Sequence, residues 1–191
     1  MTGLPPPRDV EAPVGDLVRE LAEHLGVGAT VALCVELLEG ADRNAYPDAM
    51  PYLTGLVFDE ESPIFYPAQW KDYWVRTWGA RGLMYVWDDS AGPAVVAGLD
   101  DEHWRPAEMC LKVSTRRELG EAGPRAAVLA VEGELPRVRV QALRTLGAVG
   151  DTEHVPVVQG LLEDRDAGVR RQAARSLEQL ARRLDLDVES W

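Results

Sequence analysis

The stretch Val138-Arg139…Ala142-Leu143-Arg144-Thr145-Leu146 decides the fold, because the same helical phrase occurs three times in the chain. The other two copies are Val75-Arg76…Gly79-Ala80-Arg81-Gly82-Leu83 and Val169-Arg170…Ala173-Ala174-Arg175-Ser176-Leu177, and a degenerate copy is Trp104-Arg105…Met109-Cys110-Leu111. Counted from the first arginine, the clean copies place valine at −1, small residues or leucine at +3 and +4, a second arginine at +5 and leucine at +7. The phrase is therefore a repeated unit.

The spacing of the copies indicates a repeat architecture. The first arginines stand at positions 76, 105, 139 and 170, which are 29, 34 and 31 residues apart. Periods of this length are typical of stacked supersecondary units rather than of a fold with one central core. A second apolar segment precedes each of the last three copies, at 94–99, 126–131 and 155–162. The pattern predicts two helices per repeat.

The class of repeat follows from its residues. No copy carries the Trp, Leu-Gly and Tyr signature of tetratricopeptide repeats or the Thr-Pro-Leu-His of ankyrin repeats. The run Gly150-Asp151…Leu161-Leu162-Glu163-Asp164…Val169-Arg170…Ala173-Ala174…Leu177 resembles a HEAT repeat of the short bacterial kind first noted in phycobilin lyases. The resemblance covers about residues 72–184 and implies an all-α fold, an α-α superhelix (a HEAT-like α-solenoid) of about four to five helix pairs in a right-handed stack. Such a scaffold hosts many functions.

The segments outside the clear repeats complete the domain organisation. Residues 1–13 hold four prolines and little to bury, so they are expected to be a disordered lead-in. Residues 14–191 are expected to form a single domain, in which 14–71 are atypical N-terminal helices with an acidic loop and 72–184 are the repeats. Helices are predicted from an Asp16 cap to Leu25, from Thr30 to Leu38, over 44–56 and over 68–87, with the acidic loop at 58–67.

Composition predicts a soluble, cytoplasmic, acidic protein. The 191 residues are 46% hydrophobic, but no apolar run approaches 18 residues and no basic region followed by an apolar stretch begins the chain. Cys34 and Cys110 lie in helical apolar patterns, so both are expected to be buried and reduced. The net charge of −12 disfavours generic binding to nucleic acid or to an anionic membrane.

Helical geometry divides each second helix into two faces. The first arginine falls within the apolar stripe, so Arg76, Arg105, Arg139 and Arg170 are expected to be largely buried and to need a carboxylate or carbonyl partner. Asp72, Asp101 and Asp166 each precede their arginine by four residues, and Glu134 sits near the equivalent place. In HEAT repeats, a ladder of aspartate and arginine ties neighbouring repeats together, and the resemblance implies this structural role here.

The opposite face, at positions −2, +2, +5 and +9, is predicted to line a concave groove that holds no carboxylate. Trp and Arg dominate the binding energy at interfaces, so we expect a protein or peptide partner that presents acidic and apolar groups. The alternative is that Trp70, Trp74 and Trp78, spaced four residues apart, are core residues. The candidate partner-binding residues are Trp74, Trp78, Arg81, Tyr85, His103, Arg137, Gln141, Arg144, Gln172 and Arg175.

Signals for catalysis are weak, and neither a catalytic residue, a metal site nor a cofactor is predicted. All three histidines follow a glutamate, but adjacent helical residues point about 100° apart and the pairs need not converge. The alternative function is that of a HEAT-like DNA glycosylase acting on alkylated bases, because the stretch 70–76 around Asp72 is loosely similar to that family. A basic footprint for DNA is largely missing, so the sequence favours a non-enzymatic interaction or scaffold module.

Overall fold

The computed structural model describes residues 3–57 and 71–186, and within these residues all regular structure is helical. The chain divides into two compact units, Met1–Gly98 and Leu99–Trp191, which are described in turn. The predicted all-α class is confirmed. No single helix of the described residues is long and apolar enough to cross a membrane, although the first two helices meet that test as a pair bent by 118°.

The described residues of unit 1, Met1–Gly98, contain five α-helices. The first two begin earlier than the sequence predicts, and the next two are shorter than predicted. The break at Gly26 is confirmed, but Pro13 rather than Asp16 is the N-cap of the first helix. The predicted helix over 44–56 is interrupted, because two short 3-10 turns at Arg43–Ala45 and Pro47–Ala49 precede its last segment. Residues 58–70 lie outside the described residues. The helices are α1 Val14–Leu25, α2 Val27–Leu38, α3 Met50–Thr54, α4 Tyr73–Gly82 and α5 Gly92–Ala97.

Glycine allows α4 to lie directly against α2. A Cβ atom built on Gly79 would lie 2.5 Å from the Cys34 carbonyl oxygen and 2.7 Å from the Leu38 nitrogen, both of them backbone atoms. The helix ends at Gly82 rather than at the predicted residue 87, since glycine is a poor helix former. The small residues of this copy therefore serve close helix packing.

Residues 3–13 have specific partners in unit 1. The Tyr52 hydroxyl of α3 donates to the Pro5 carbonyl oxygen over 2.8 Å, and the Arg8 amide donates to Glu20 of α1 over 3.0 Å. The composition of this segment alone predicts disorder, because its two partners, Tyr52 and Glu20, lie elsewhere in the chain.

Unit 2, Leu99–Trp191, contains two complete helix pairs. Its helices are α6 Trp104–Arg117, α7 Gly123–Glu132, α8 Pro136–Val149, α9 Val155–Gly160 and α10 Ala167–Leu184. The pairs α7/α8 and α9/α10 confirm the predicted two helices per repeat. Pro136 begins α8, where the missing N–H of a proline costs no helix hydrogen bond. The Asp166 carboxylate caps α10 by accepting from the amides of Gly168 and Val169. Helix α8 lies between α6, α7 and α10 and forms the centre of the unit.

The structure buries one of the predicted ladder arginines and exposes another. Arg139 is 3% exposed and its Nη2 lies 3.0 Å from Asp164, while its Nη1 donates to the Gly133 carbonyl oxygen. Its carboxylate partner is thus in the following repeat, and not Glu134, the residue near the equivalent place before Arg139. Arg170 is exposed and donates to the carbonyl oxygens of Asp164 and Arg165, because no described helix covers the outer side of α10.

The remaining ladder residues have other roles. Arg76 and Arg105 are only half-buried. The Asp101 carboxylate accepts from the His103 amide, and Asp72 pairs with Arg43 at 2.6 Å. An aspartate ahead of a helix can cap that helix as readily as it can pair with an arginine, so the spacing of four residues does not select between the two roles.

Candidate functional site

The best-defined part of the predicted groove lies on α8 and α10 of unit 2. We define the arginine–glutamine face as Gln141, Arg144, Gln172 and Arg175. Both glutamines are buried, with 5% and 9% exposure, whereas both arginines are exposed. The buried glutamines correct the prediction that all four line the groove openly, and they place two guanidinium groups at the surface.

The two glutamines hold Arg144 in a fixed position. Its Nε donates to Gln172 Oε1 and its Nη1 donates to Gln141 Oε1, each over 3.3 Å. Gln141 comes from the same helix, three residues earlier, and Gln172 comes from the next repeat. A guanidinium has five N–H donors, so Arg144 keeps three for a ligand. The side chain is held in place before any ligand arrives.

Arg175 occupies in α10 the place that Arg144 occupies in α8. It follows Gln172 by three residues on α10, a spacing that places side chains next to each other on a helix surface. Within residues 3–57 and 71–186, Arg175 forms no hydrogen bond or ion pair, and Arg144 has no carboxylate partner. Two adjacent cations without a neutralising group attract an anion.

Hydroxyl groups explain why the glutamine positions are buried. Thr145 Oγ1 donates to the Leu111 carbonyl oxygen of α6 over 3.1 Å, and Ser176 Oγ donates to the Leu143 carbonyl oxygen of α8 over 2.7 Å. These bonds join successive second helices side by side, so α8 is flanked on both sides and exposes only a narrow strip, whereas the described residues flank α10 on one side only. The threonine and serine occupy the same place in the repeated phrase, a signal that sequence reasoning missed.

The start of α6 carries a second cluster of predicted site residues. The Arg137 and Arg105 guanidinium carbons lie 4.7 Å and 4.5 Å from the Trp104 ring centroid, and the His103 ring stacks on Trp104 at 5.7 Å. Arg137 also pairs with Glu108 at 2.9 Å. His103 caps α6 by accepting from the Arg105 amide. These contacts give Arg137 a carboxylate partner, in contrast to Arg144 and Arg175.

An acidic cleft adjoins this cluster. Its volume is about 420 Å³, and it is lined by four carboxylates, by Arg125 and His103, and by apolar side chains from the α6 N-terminus, α7 and the α7–α8 turn. The carboxylates belong to Asp101, Glu102, Glu132 and Glu134. Unit 2 therefore presents an acidic cleft as well as the basic arginine–glutamine face.

The aromatic part of the predicted groove lies in unit 1 and is mostly core. Trp78 is 5% exposed and stacks on the half-buried Trp74 with ring centroids 6.2 Å apart, as the alternative interpretation predicted. The Arg81 guanidinium donates to the Leu53 carbonyl oxygen, and its burial lowers its pKa. Tyr85 is 37% exposed and packs against Gly15. Trp70 lies outside the described residues.

Groups suited to catalysis or metal binding are not assembled in the described part of the chain. Among residues 3–57 and 71–186, no three His, Cys, Asp or Glu side chains converge to hold a metal ion. Asp72, which the glycosylase alternative requires, is paired with Arg43. Cys34 and Cys110 are buried free thiols, as predicted.

Comparison with known proteins agrees with the helix pairs of unit 2. Residues 118–188 match the family described as HEAT repeats. This part of the chain is therefore similar to HEAT repeats. The match contains α7 to α10, and so it includes the whole arginine–glutamine face. No curated protein matches the chain. HEAT repeats commonly mediate protein–protein interaction. The arginine–glutamine face lies within the matched residues.

Proposed function

We propose that the chain is a non-enzymatic interaction module whose HEAT repeats bind an acidic segment of a partner protein on the arginine–glutamine face. The observation that carries the proposal is the pair of exposed guanidinium groups without a carboxylate partner, one of them fixed by two buried glutamines. The chain has a net charge of −12, so two arginines without a carboxylate partner make this face locally positive on an otherwise acidic protein.

The geometry favours a carboxylate ligand. Arginine presents a planar fork of N–H donors that matches a carboxylate in a bidentate manner. Fixing Arg144 beforehand removes part of the entropy cost of binding, since its side chain loses little further freedom. The half-buried Ala148 and Val140 on the same helix add small apolar surface beside the charged groups. The partner segment is accordingly one that alternates acidic and small apolar residues.

The experiment is a comparative cross-linking capture from the source cells. The chain carrying Arg144→Gln and Arg175→Gln is compared with the wild type and with Arg182→Gln. The control removes another exposed arginine, which already pairs with Glu178 at 3.5 Å, and so changes the net charge on α10 while all four residues of the face stay in place. We expect a partner that is retained by wild type and by Arg182→Gln but lost with the double variant.

The captured protein then supplies the decisive measurement. A synthetic peptide from its most acidic segment is titrated into the wild type, and affinity is expected to fall at least 10-fold, about 1.4 kcal/mol, in the double variant. Equal affinity for both chains, or a partner bound through a basic segment, would contradict the proposal.

A further inference from the structure

The N-terminal segment of unit 1 occupies a groove as a bound peptide does. Leu4, Pro7 and Val10 are half-buried, whereas Pro5, Pro6, Arg8 and Asp9 are exposed. The half-buried Leu4 and Pro7 are thus three residues apart, and Val10 follows at the same interval in the turn that ends the segment. A spacing of three is the period of the polyproline II helix, in which every third side chain faces the same way.

The local sequence favours this conformation before any contact is made. Each proline fixes its own φ near −65° and pushes the residue before it toward extended backbone. Pro5, Pro6 and Pro7 are consecutive, so Leu4 to Pro7 is stiff and loses little entropy on docking.

The groove supplies the two features that recognise such a peptide. The first is an aromatic hydroxyl aimed at the peptide backbone: Tyr52 is fully buried and its hydroxyl donates to the Pro5 carbonyl oxygen over 2.8 Å. Proline carbonyls have no internal partner in a polyproline II helix, so an outside donor is the natural recognition element. The His24 ring lies edge-on to Tyr52 at 6.1 Å and helps to fix it.

The second feature is a carboxylate pair at the end of the proline run. The Arg8 guanidinium donates to Glu23, and its Nε lies 3.4 Å from Glu20, which also accepts from the Arg8 amide. Glu20 has a side-chain exposure of only 12%, so it is a built part of the groove. A cleft of about 630 Å³ continues beside the segment along Pro47, Pro51 and Val57.

We propose that this groove between α1 and α3 is a binding site for proline-rich segments that end in arginine, and that the chain's own residues 4–8 occupy it in competition with such segments of a second copy. Charge and backbone chemistry define the occupant: prolines with free carbonyls for Tyr52, followed by a cation for Glu20 and Glu23. The site lies in unit 1 and is independent of the arginine–glutamine face.

The test uses the full-length chain and a fluorescent peptide of residues 3–12. In the test variant the five residues Leu4 to Arg8 are replaced by glycine and serine, which keeps the length but removes the internal competitor. A segment tethered this closely acts at an effective concentration on the order of 1 mM, so a peptide with a dissociation constant of about 100 µM binds about 10-fold more weakly to the wild type than to the variant.

Matched controls establish what the groove recognises. The peptide with Arg8→Glu, and the variant chain with Glu20→Gln and Glu23→Gln added, are each expected to lose at least 10-fold in affinity. Circular dichroism verifies that each chain is folded. If the replaced chain is unfolded, limited trypsin digestion of the otherwise wild-type Glu20→Gln/Glu23→Gln chain decides, since release of the segment speeds cleavage after Arg8 several-fold. No binding by a folded variant, binding indifferent to Arg8, or an unchanged cleavage rate would overturn the proposal.

Discussion

Replacing Arg139 with alanine is expected to destabilise the protein by about 3 kcal/mol, whereas the same change at Arg170 costs less than about 1 kcal/mol. The two residues occupy the same place in successive copies of the repeated phrase. Arg139 is buried and paired with Asp164, and Arg170 is exposed and bonded to two backbone carbonyls. One substitution type at equivalent positions thus isolates the effect of burial.

The magnitude follows from what each substitution leaves behind. Without Arg139, the Asp164 carboxylate, whose side chain is 12% exposed, has no cation, and stranding a buried charge costs about 3 to 5 kcal/mol. Asp164 still accepts from the Asp166 amide over 2.7 Å, so the lower end of that range applies. The carbonyls that Arg170 leaves are accessible to water and are rehydrated.

Urea unfolding followed by circular dichroism measures both free energies of unfolding. The melting temperature should fall by about 6 to 12 °C for Arg139→Ala in a chain of this size. The double variant Arg139→Met/Asp164→Leu removes both charges and should recover most of the loss. Equal losses at the two positions, or a loss below about 1 kcal/mol at Arg139, would refute the assignment of a buried ion pair.

Three further outcomes test the packing and the titration of the fold. Gly79→Ala should destabilise unit 1 by about 2 kcal/mol, because the added Cβ meets backbone atoms of α2. Gly160→Ala, with open space around it, should stabilise the protein by about 0.5 to 1 kcal/mol. Chemical denaturation measures both free energies of unfolding. Burial raises the pKa of Cys34 to about 12 and raises the pKa of Cys110 as well, so at about pH 8 a thiol reagent should modify neither until urea is added. The Asp166 amide and Arg139 hold the pKa of the Asp164 carboxyl below its ordinary value, so its stabilisation is present above about pH 4 and is lost as the pH falls further. The acid limb of a stability profile should be shallower in Arg139→Ala.

The repeats could be predicted from the sequence because their information is periodic. The copied phrase and the apolar segment before it place α7 to α10 and their pairing, and Gly26 marks the break between α1 and α2. Each of these features depends on local propensity or on spacing within one helix, and both can be counted along the chain.

The faces of the second helices could not be assigned in the same way. Periodicity identifies an apolar stripe, but it does not show that a second helix also packs against its neighbours on both sides. The position of Gln141 and Gln172 in the repeated phrase predicts that they line the groove, yet they are buried beside Thr145 and Ser176. Likewise, the pairing of Arg139 with Asp164 of the following repeat depends on where the next helix begins in space.

For the N-terminal segment, the sequence predicts disorder, whereas the structure gives it specific partners. Its composition is typical of disorder, because prolines and few large apolar residues bury little surface. Its partners, Tyr52 and Glu20, lie 47 and 12 residues away from Pro5 and Arg8 respectively. A polar peptide can be held by a few specific groups that no composition measure includes.

The difference between α8 and α10 also determines how the arginine–glutamine face works. Arg144 is fixed because the helix after it supplies Gln172, whereas within the described residues no later helix supplies the same group to Arg175. The two guanidinium groups therefore differ in mobility although they share a position in the repeat. Under the proposed function, the fixed cation would set the register of a bound acidic segment, and the other cation would adjust to the next carboxylate along it. The stacking of the helix pairs thus gives one repeated arginine two different environments.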